Sequence, residues 1–344
     1  MHISTYHDCN YSLNRLSLRV FEILPITDKK SALVTLAIGK DYLESWEKFA
    51  LPSWIQYCKK YGIGLFVEDQ NLDRDEFPKK KQWQKLLLGA KLLELEPDLS
   101  TFCYLDTDIL INPYSPDIFS FHSSGKISLV SSINQLPFDR SLILRRVAFF
   151  RKKFIDSTYP LDSALFITNS EMYNYHKVSV QPDYACTGLI MCDASAAPFL
   201  KEIFYKYKMP VESITDGGEE PLVNYEIQSN MPVNWLDYKF QAQWIYEIAW
   251  NYPFLYMKNN RKFSAECIRI SLMNNYFLHF SGSWSEGHDW ENPNIFNSKF
   301  WNSTLHEFYD YMSIPVYGKP VGKLLPGKKD YGLLRFFKKK LNFF

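Results

Sequence analysis

Apolar and polar positions fall in blocks along this chain, and the blocks mark out its elements. Ser31-Ala-Leu-Val-Thr-Leu-Ala-Ile38 is an apolar run of strand length, closed by the turn Gly39-Lys-Asp. Such a run reads as a buried strand. From Tyr42 to Tyr61 the residues Tyr42, Trp46, Phe49, Ile55 and Cys58 recur near helical spacing; Pro52 is expected to bend this helix and Gly62 to end it. Gly64-Leu-Phe-Val67 is a second apolar run, closing on Glu68-Asp69. Strand, helix, strand is the unit of a parallel α/β sheet.

The pattern continues with the basic stretch Lys79 to Lys85 and a helix over Leu86 to Leu95, ended by Pro97. Phe102 to Leu105 is the next apolar run. It leads into Asp106 and Asp108, and Ile109 to Ile111 follows before Pro113 and Pro116. Lys126 to Ile133 reads as a strand. Phe138 to Phe154 reads as a helix that carries Arg140, Arg145, Arg146, Arg151, Lys152 and Lys153 among apolar residues, the composition of an anion- or lipid-binding face or of a core helix with a solvated side. Asp183 to Asp193 is a turn with Gly188 and then a strand, and Ala194 to Met209 a helix. Gly217-Gly-Glu-Glu-Pro221 is a glycine turn that opens a helix, and Tyr276 to Phe280 is a strand carrying His279 ahead of Gly282. Residues 1–30 look irregular and polar, a leader. The expected division is this leader, one α/β domain over 31–300 in which 119–182 forms an insertion and acceptor region, and a C-terminal extension over 301–344.

Composition narrows the class. With 46% hydrophobic and 22% charged residues in 344, a substantial core forms and wholesale disorder is excluded. A net charge of +1 argues against a nucleic-acid binder. Six scattered cysteines without a CxxC pair fit a reducing compartment, and no leader with a basic and then an apolar segment is visible, so a cytoplasmic location is expected. The segment 323–344 holds seven Lys/Arg and one Asp among Leu, Phe and Tyr, the composition of an interfacial helix. It predicts a peripheral location on an anionic membrane surface, the inner face; a frayed basic tail or a helix docked on the core is the alternative.

The chemistry lies in Asp106 and Asp108. An ionised carboxylate at the end of a buried strand needs a counter-charge or a metal. Two of them, two residues apart, suit a hard divalent cation that also takes phosphate oxygens. A bare Asp-x-Asp arises about once by chance in a chain this long, so a plain turn is the alternative. In α/β sheets ligands sit beyond the carboxyl ends of strands. That places the loop from Ala37 to Tyr42 against a nucleoside, while Lys85 is expected to reach a diphosphate and Trp83 to stack. Gly188 would allow close backbone approach to a ligand. Glu219 and Glu220 open a helix, where the dipole favours acids in any case. His279 precedes a Ser/Gly loop, as a third metal ligand would, and a histidine ligand favours Mn2+ over Mg2+.

Taken in order, these pieces resemble the nucleotide-sugar glycosyltransferases of GT-A fold, in particular the glycogenin-like and lipopolysaccharide galactosyltransferase-like group. Thr35 to Tyr42 look like that family's nucleotide-binding opening. Leu105-Asp-Thr-Asp-Ile109 resembles its Asp-x-Asp metal motif. Glu219-Glu-Pro-Leu-Val-Asn224 sits where the family has Asp-Gln-Asp-x-Leu-Asn, and His279-Phe-Ser-Gly282 resembles its His-x-x-Gly element. The resemblance spans about residues 31 to 290. It implies a Rossmann-like mixed α/β sheet flanked by helices and a hexosyltransferase of polysaccharide biosynthesis. The sugar would pass from a nucleotide-sugar, a UDP-sugar, to a glycan or lipid-linked acceptor. Asp106, Asp108 and His279 would hold Mn2+ (or Mg2+). Thr35, Ala37, Tyr42, Lys85, Asp106 and Gly188 would bind the donor, and Glu219 and Glu220 would be catalytic.

The chain departs from the family in two places. Ser285 stands where it has a lysine, and Glu220-Pro221 stands where it has Gln-Asp. A glutamate at 220 can serve as base or as nucleophile, which leaves both retaining and inverting outcomes open. Two other readings of the Asp-x-Asp strand remain. One is a haloacid-dehalogenase-type phosphatase, although the second place after that motif is Leu110 rather than a small Thr or Val. The other is a non-catalytic sugar- or lipid-binding protein.

Overall fold

The computed structural model describes residues 20–73, 80–154, 168–207, 218–256, 261–282 and 285–296. Among the described residues ten strands form: β1 (Val20–Leu24), β2 (Ser31–Leu36), β3 (Gly64–Glu68), β4 (Thr101–Leu105), β5 (Ile109–Ile111), β6 (Ile127–Val130), β7 (Leu189–Asp193), β8 (Val233–Leu236), β9 (Ala242–Gln243) and β10 (Phe277–His279). The helices are α1 (Lys40–Ser45), α2 (Leu51–Tyr61), α3 (Lys85–Leu95), α4 (Arg140–Phe154), α5 (Asn169–Tyr175), α6 (Ala197–Lys206), α7 (Glu220–Asn230), α8 (Trp244–Asn251) and α9 (Arg261–Asn274).

Seven strands make one sheet in the order β1-β3-β2-β4-β7-β6-β8. β3, β2 and β4 are mutually parallel, as are β6 and β8, while β1 and β7 run against their neighbours. The class is the mixed α/β sheet flanked by helices that the sequence predicts. Its strands read as continuous apolar runs because both faces are covered. Ala32, Val34, Phe66, Phe102 and Tyr104 enter one core with Leu86, Leu88, Leu200 and Leu222 of α3, α6 and α7. Their neighbours Leu33, Leu65, Val67, Cys103 and Leu105 enter the other with Trp54 and Tyr57 of α2. The period-two alternation of a strand thus serves two layers at once.

A second sheet, β5-β10-β9, lies in this other core; β10 is antiparallel to β5 and parallel to β9. The chain leaves the large sheet at Leu105 and enters the small one at Ile109, so Asp106-Thr107-Asp108 is the crossing between them. Both sheets hold it. Asp106 N–H donates to Gly188 O at 2.9 Å, and Phe280 N–H donates to Asp108 O at 3.1 Å. On either side, Thr35 Oγ1 donates to Leu105 O at 2.7 Å and Trp54 Nε1 to Ile109 O at 2.8 Å.

Two local expectations change. The end of the expected leader forms β1, an edge strand whose Phe21, Ile23 and Leu24 pack on the core. An edge strand with one buried face carries too few apolar residues to stand out from a polar segment. Pro52 lies in the first turn of α2, and the turn before it, Trp46–Ala50, is a π-helix, so the helical ladder is irregular beside the proline, which lacks an N–H. Trp83 is fully buried in the core with α3 and tilted against Tyr207, so it has no free face for a base. Residues 1–19 and the basic segment 323–344 lie outside the described residues. Among the described residues no helix is long and apolar enough to cross a membrane.

Candidate functional site

β4 delivers Asp106 and Asp108, and the small sheet delivers His279. Register does the rest: His279, the last residue of β10, pairs with Ile109, the first residue of β5. This brings His279 Nε2 within 3.2 Å of Asp108 Oδ1 and 3.5 Å of Asp106 Oδ2, and one donor atom from each residue lies within 4.8 Å of the others.

The fit to a cation can be tested on these atoms. Nε2 and Asp108 Oδ1 are buried, and neither makes a hydrogen bond, although they face each other. A buried polar atom without a partner costs about 1–3 kcal/mol, more when charged. Two donors bound side by side to one ion at about 2.1 Å lie about 3 Å apart, close to the separations here. The donor set, two carboxylates and an imidazole nitrogen, suits Mn2+ or Mg2+. The three residues could therefore hold a divalent metal ion.

The carboxylates that could hold a cation also favour a proton on His279, so the two compete for Nε2. Burial pushes the His279 imidazole down, but the Asp108 carboxylate, with Cys186 and Asp106, outweighs it and holds the ring well above its usual range. Burial pushes Asp106 up, yet Lys85 and His279 pull it well below the usual carboxylate range. Asp106 also accepts from the Tyr104 hydroxyl, a phenol that burial and this same carboxylate keep neutral.

Behind Asp106 lies a second cluster. Lys85 begins α3 and is 4% exposed. Its ammonium is 2.7 Å from Glu219 Oε1 and 3.8 Å from Asp106 Oδ1, and it donates to Thr187 O at 3.0 Å and Thr187 Oγ1 at 3.2 Å. Thr187 Oγ1 donates onward to Glu219 Oε1 at 2.7 Å. Burial disfavours the ammonium, but Asp106 and Glu219 prevail and hold its pKa above the ordinary lysine value. Glu220 is half-buried, with Thr187 N–H at 3.4 Å. Asn224 on α7 reads the backbone of Ala185 on both sides, N–H and C=O, at 2.8 Å each, and so fixes the loop carrying Thr187 and Gly188.

Gly188 earns its place sterically. A Cβ there would collide with His279 Cε1 and lie 2.8 Å from Asp106 Oδ2 and 2.9 Å from Gln241 Nε2. Side-chain contacts far below van der Waals distance are not tolerated in a packed interior.

The structure thus brings Lys85, Asp106, Asp108, Gly188, Glu219, Glu220 and His279 into one neighbourhood. Thr35 and Ala37 are fully buried, Thr35 bonded to Leu105 O and Ala37 N–H to Glu68 O, while Tyr42 is exposed on α1. Tyr104, Thr187 and Gln241 belong to the site and escape sequence reading. Tyr104 and Thr187 adjoin recognised motifs, one residue before Leu105 and one before Gly188, so proximity was their only signal. Gln241 had none.

No family model matches the chain, and no curated protein matches its sequence. Among solved structures it is similar to a glycosyltransferase involved in glycosylation of the major capsid of PBCV-1, at 12% identity and TM-score 0.43, covering 76% of this chain and 97% of that one. It is similar to the WbbM bifunctional glycosyltransferase at 13% identity and TM-score 0.48, covering 82% of this chain and 52% of that one, about half its length. It is also similar to the galactosyltransferase LgtC, solved with donor and acceptor sugar analogs, at 10% identity and TM-score 0.38, over 87% and 99% of the two chains. These overlays concern α/β architecture; what the site can do rests on its own side chains.

Proposed function

We propose that this chain is a glycosyltransferase that moves a sugar from a nucleotide-sugar, a UDP-sugar, to a glycan or lipid-linked acceptor. One observation carries the reading: two carboxylates and an imidazole nitrogen from two sheets converge, His279 Nε2 lying 3.2 Å from Asp108 and 3.5 Å from Asp106. Asp106, Asp108 and His279 would hold the cation. When bound, it would neutralise charge on the two phosphates of the leaving nucleoside diphosphate.

The protein's own groups do the remaining work. Lys85 holds Asp106 and Glu219 in place and keeps positive charge beside the donor. Tyr104 orients the Asp106 carboxylate through its hydroxyl. Glu219 is committed to Lys85 and Thr187 and shapes the wall of the site. Glu220, less buried, would orient the acceptor hydroxyl or take its proton. A phosphatase of the Asp-x-Asp type needs no histidine against both carboxylates, so the position of His279 favours sugar transfer.

The test is donor hydrolysis and transfer with a panel of UDP-sugars and Mn2+. Asp108→Ala is expected to lower both on the order of 10³-fold, about 4 kcal/mol of transition-state stabilisation, with the fold retained. Undiminished metal-dependent turnover in that variant would sink the proposal.

A further inference from the structure

The two nitrogens of His279 have different company. Nε2 faces Asp106 and Asp108. Nδ1 faces the carboxamide nitrogen of Gln241 at 3.2 Å and the sulfur of Cys186 at 3.7 Å. A neutral imidazole carries one proton. If Nε2 is to give its lone pair to a cation, the proton sits on Nδ1, and a buried Nδ1–H needs an acceptor. The thiol sulfur is a weak acceptor and the more distant of the two. The stronger one available is the carbonyl oxygen of Gln241.

Gln241 is built for that place. It is 1% exposed and closes the short turn Tyr238–Gln241 that runs into β9, and Gln243 of β9 is the register partner of His279. Its Oε1 is buried and makes no hydrogen bond. The missing side chain of Gly188 leaves the space that the carboxamide and the His279 ring share. Within that space the side chain can present either end to Nδ1, because the amide nitrogen and oxygen have the same shape and a half-turn about the last bond exchanges them.

We propose that Gln241 holds the metal-binding tautomer of His279, its carboxamide oxygen accepting from Nδ1–H so that Nε2 is left for the cation. In this structure the nitrogen of the carboxamide faces Nδ1, and a half-turn puts the oxygen there. With its oxygen toward Nδ1 it accepts, and Nε2 is free to join Asp106 and Asp108 around a divalent cation. Gln241 touches neither substrate nor cation; it is a positioning residue. The inference rests on the metal-site reading above.

Titration with Mn2+ alone, followed by the paramagnetic resonance of the free ion, separates the two claims. Asp108→Ala is the control for the site: if it binds Mn2+ as the wild type does, the metal-site reading fails and takes this proposal with it. Where Asp108→Ala weakens binding, Gln241→Met, which keeps the bulk and loses the acceptor, is expected to weaken it by about 10–100-fold. Gln241→Glu, which can only accept, is expected to bind Mn2+ at least as tightly as the wild type. A packing role predicts the reverse order, with Met harmless and the extra buried charge of Glu harmful; that order, or equal affinity in all three, overturns the proposal. If Gln241→Met does not fold, the nitrogen-15 spectrum of His279 in the Mg2+-loaded wild type decides. A proton on Nδ1 supports the assignment, and a proton on Nε2 overturns it.

Discussion

Two polar clusters share the residue Asp106 and behave as opposites. Around Lys85, every donor meets an acceptor: the ammonium reaches Glu219, Asp106 and both oxygens of Thr187, and the Thr187 hydroxyl passes on to Glu219. A few ångströms away, Asp108 Oδ1 and His279 Nε2 lie 3.2 Å apart with no hydrogen bond to either. The Lys85 and Glu219 side chains are 3% and 4% exposed, whereas those of Asp106 and Asp108 are 31% and 26% exposed. A closed network holds its own shape, whereas converging ligand atoms without hydrogen bonds leave room for a partner. On the proposed reading the closed cluster is the frame and the open one the site.

If that contrast is right, substitutions in the two clusters fail in different ways. The largest expected effect on folding is in the frame. Lys85→Met leaves the buried Glu219 carboxylate, and the partly exposed Asp106 beside it, without their cation and is expected to cost about 3–5 kcal/mol in urea unfolding. Adding Glu219→Gln should recover much of it. A neutral Lys85→Met would mean the network is not closed.

Next comes the boundary between the clusters. Gly188→Ala drives a methyl group into His279 and Asp106, and a loss of about 1–3 kcal/mol is expected, together with weaker metal-induced stabilisation. An unfolding midpoint equal to wild type would show that the site has slack, which the open-site account does not allow.

The smallest effect uses a third buried carboxylate as a reference. Glu247 on α8 accepts only from neutral groups: Asn251 at 2.9 Å, Ser271 at 3.3 Å, and Tyr238 and Asn275 at 3.5 Å each. With no cation beside it, burial raises its pKa from 4.5 to about 6 despite those bonds. The folded state therefore binds this proton more tightly than the unfolded chain does. The resulting stability is complete below pH 4.5 and is lost as pH rises through 6, by about 2 kcal/mol. Measured against Glu247→Gln, the wild type should lose ground by that amount between pH 4.5 and pH 7. A difference that stays flat with pH would contradict the assignment. Asp106, by contrast, has a cation and sits well below the ordinary range. Its contribution is therefore lost only in acid.

The frame of the fold was legible because it is written in runs. β2, β3, β4 and β10 are short apolar stretches ending at chemistry, and a strand buried on both faces has to look that way. The Asp106-Thr107-Asp108 crossing was legible for the same reason, since two acids between two apolar runs need an explanation. His279 could be suggested from its place before a glycine loop. Its pairing with Ile109, which brings it to the aspartates, is a matter of strand register between distant segments and is invisible locally. Lys85 shows the limit most clearly. Its position at the start of a helix was readable, but its commitment to Thr187 and Glu219 joins three separate segments that no periodicity links. β1 escaped because an edge strand needs only one apolar face. Gln241 escaped because a glutamine between apolar residues carries no signal until its neighbour is known.

The most direct measurement is the unfolding temperature of wild type and Asp108→Ala with Mn2+, a UDP-sugar, or both. A ligand at about 100 times its Kd stabilises the native state by about 2.7 kcal/mol. The account predicts that Mn2+ alone raises the wild-type midpoint, that one UDP-sugar raises it further only when Mn2+ is present, and that Asp108→Ala loses both shifts while keeping its own fold. Midpoints that ignore Mn2+, or that rise equally in wild type and Asp108→Ala, would contradict it.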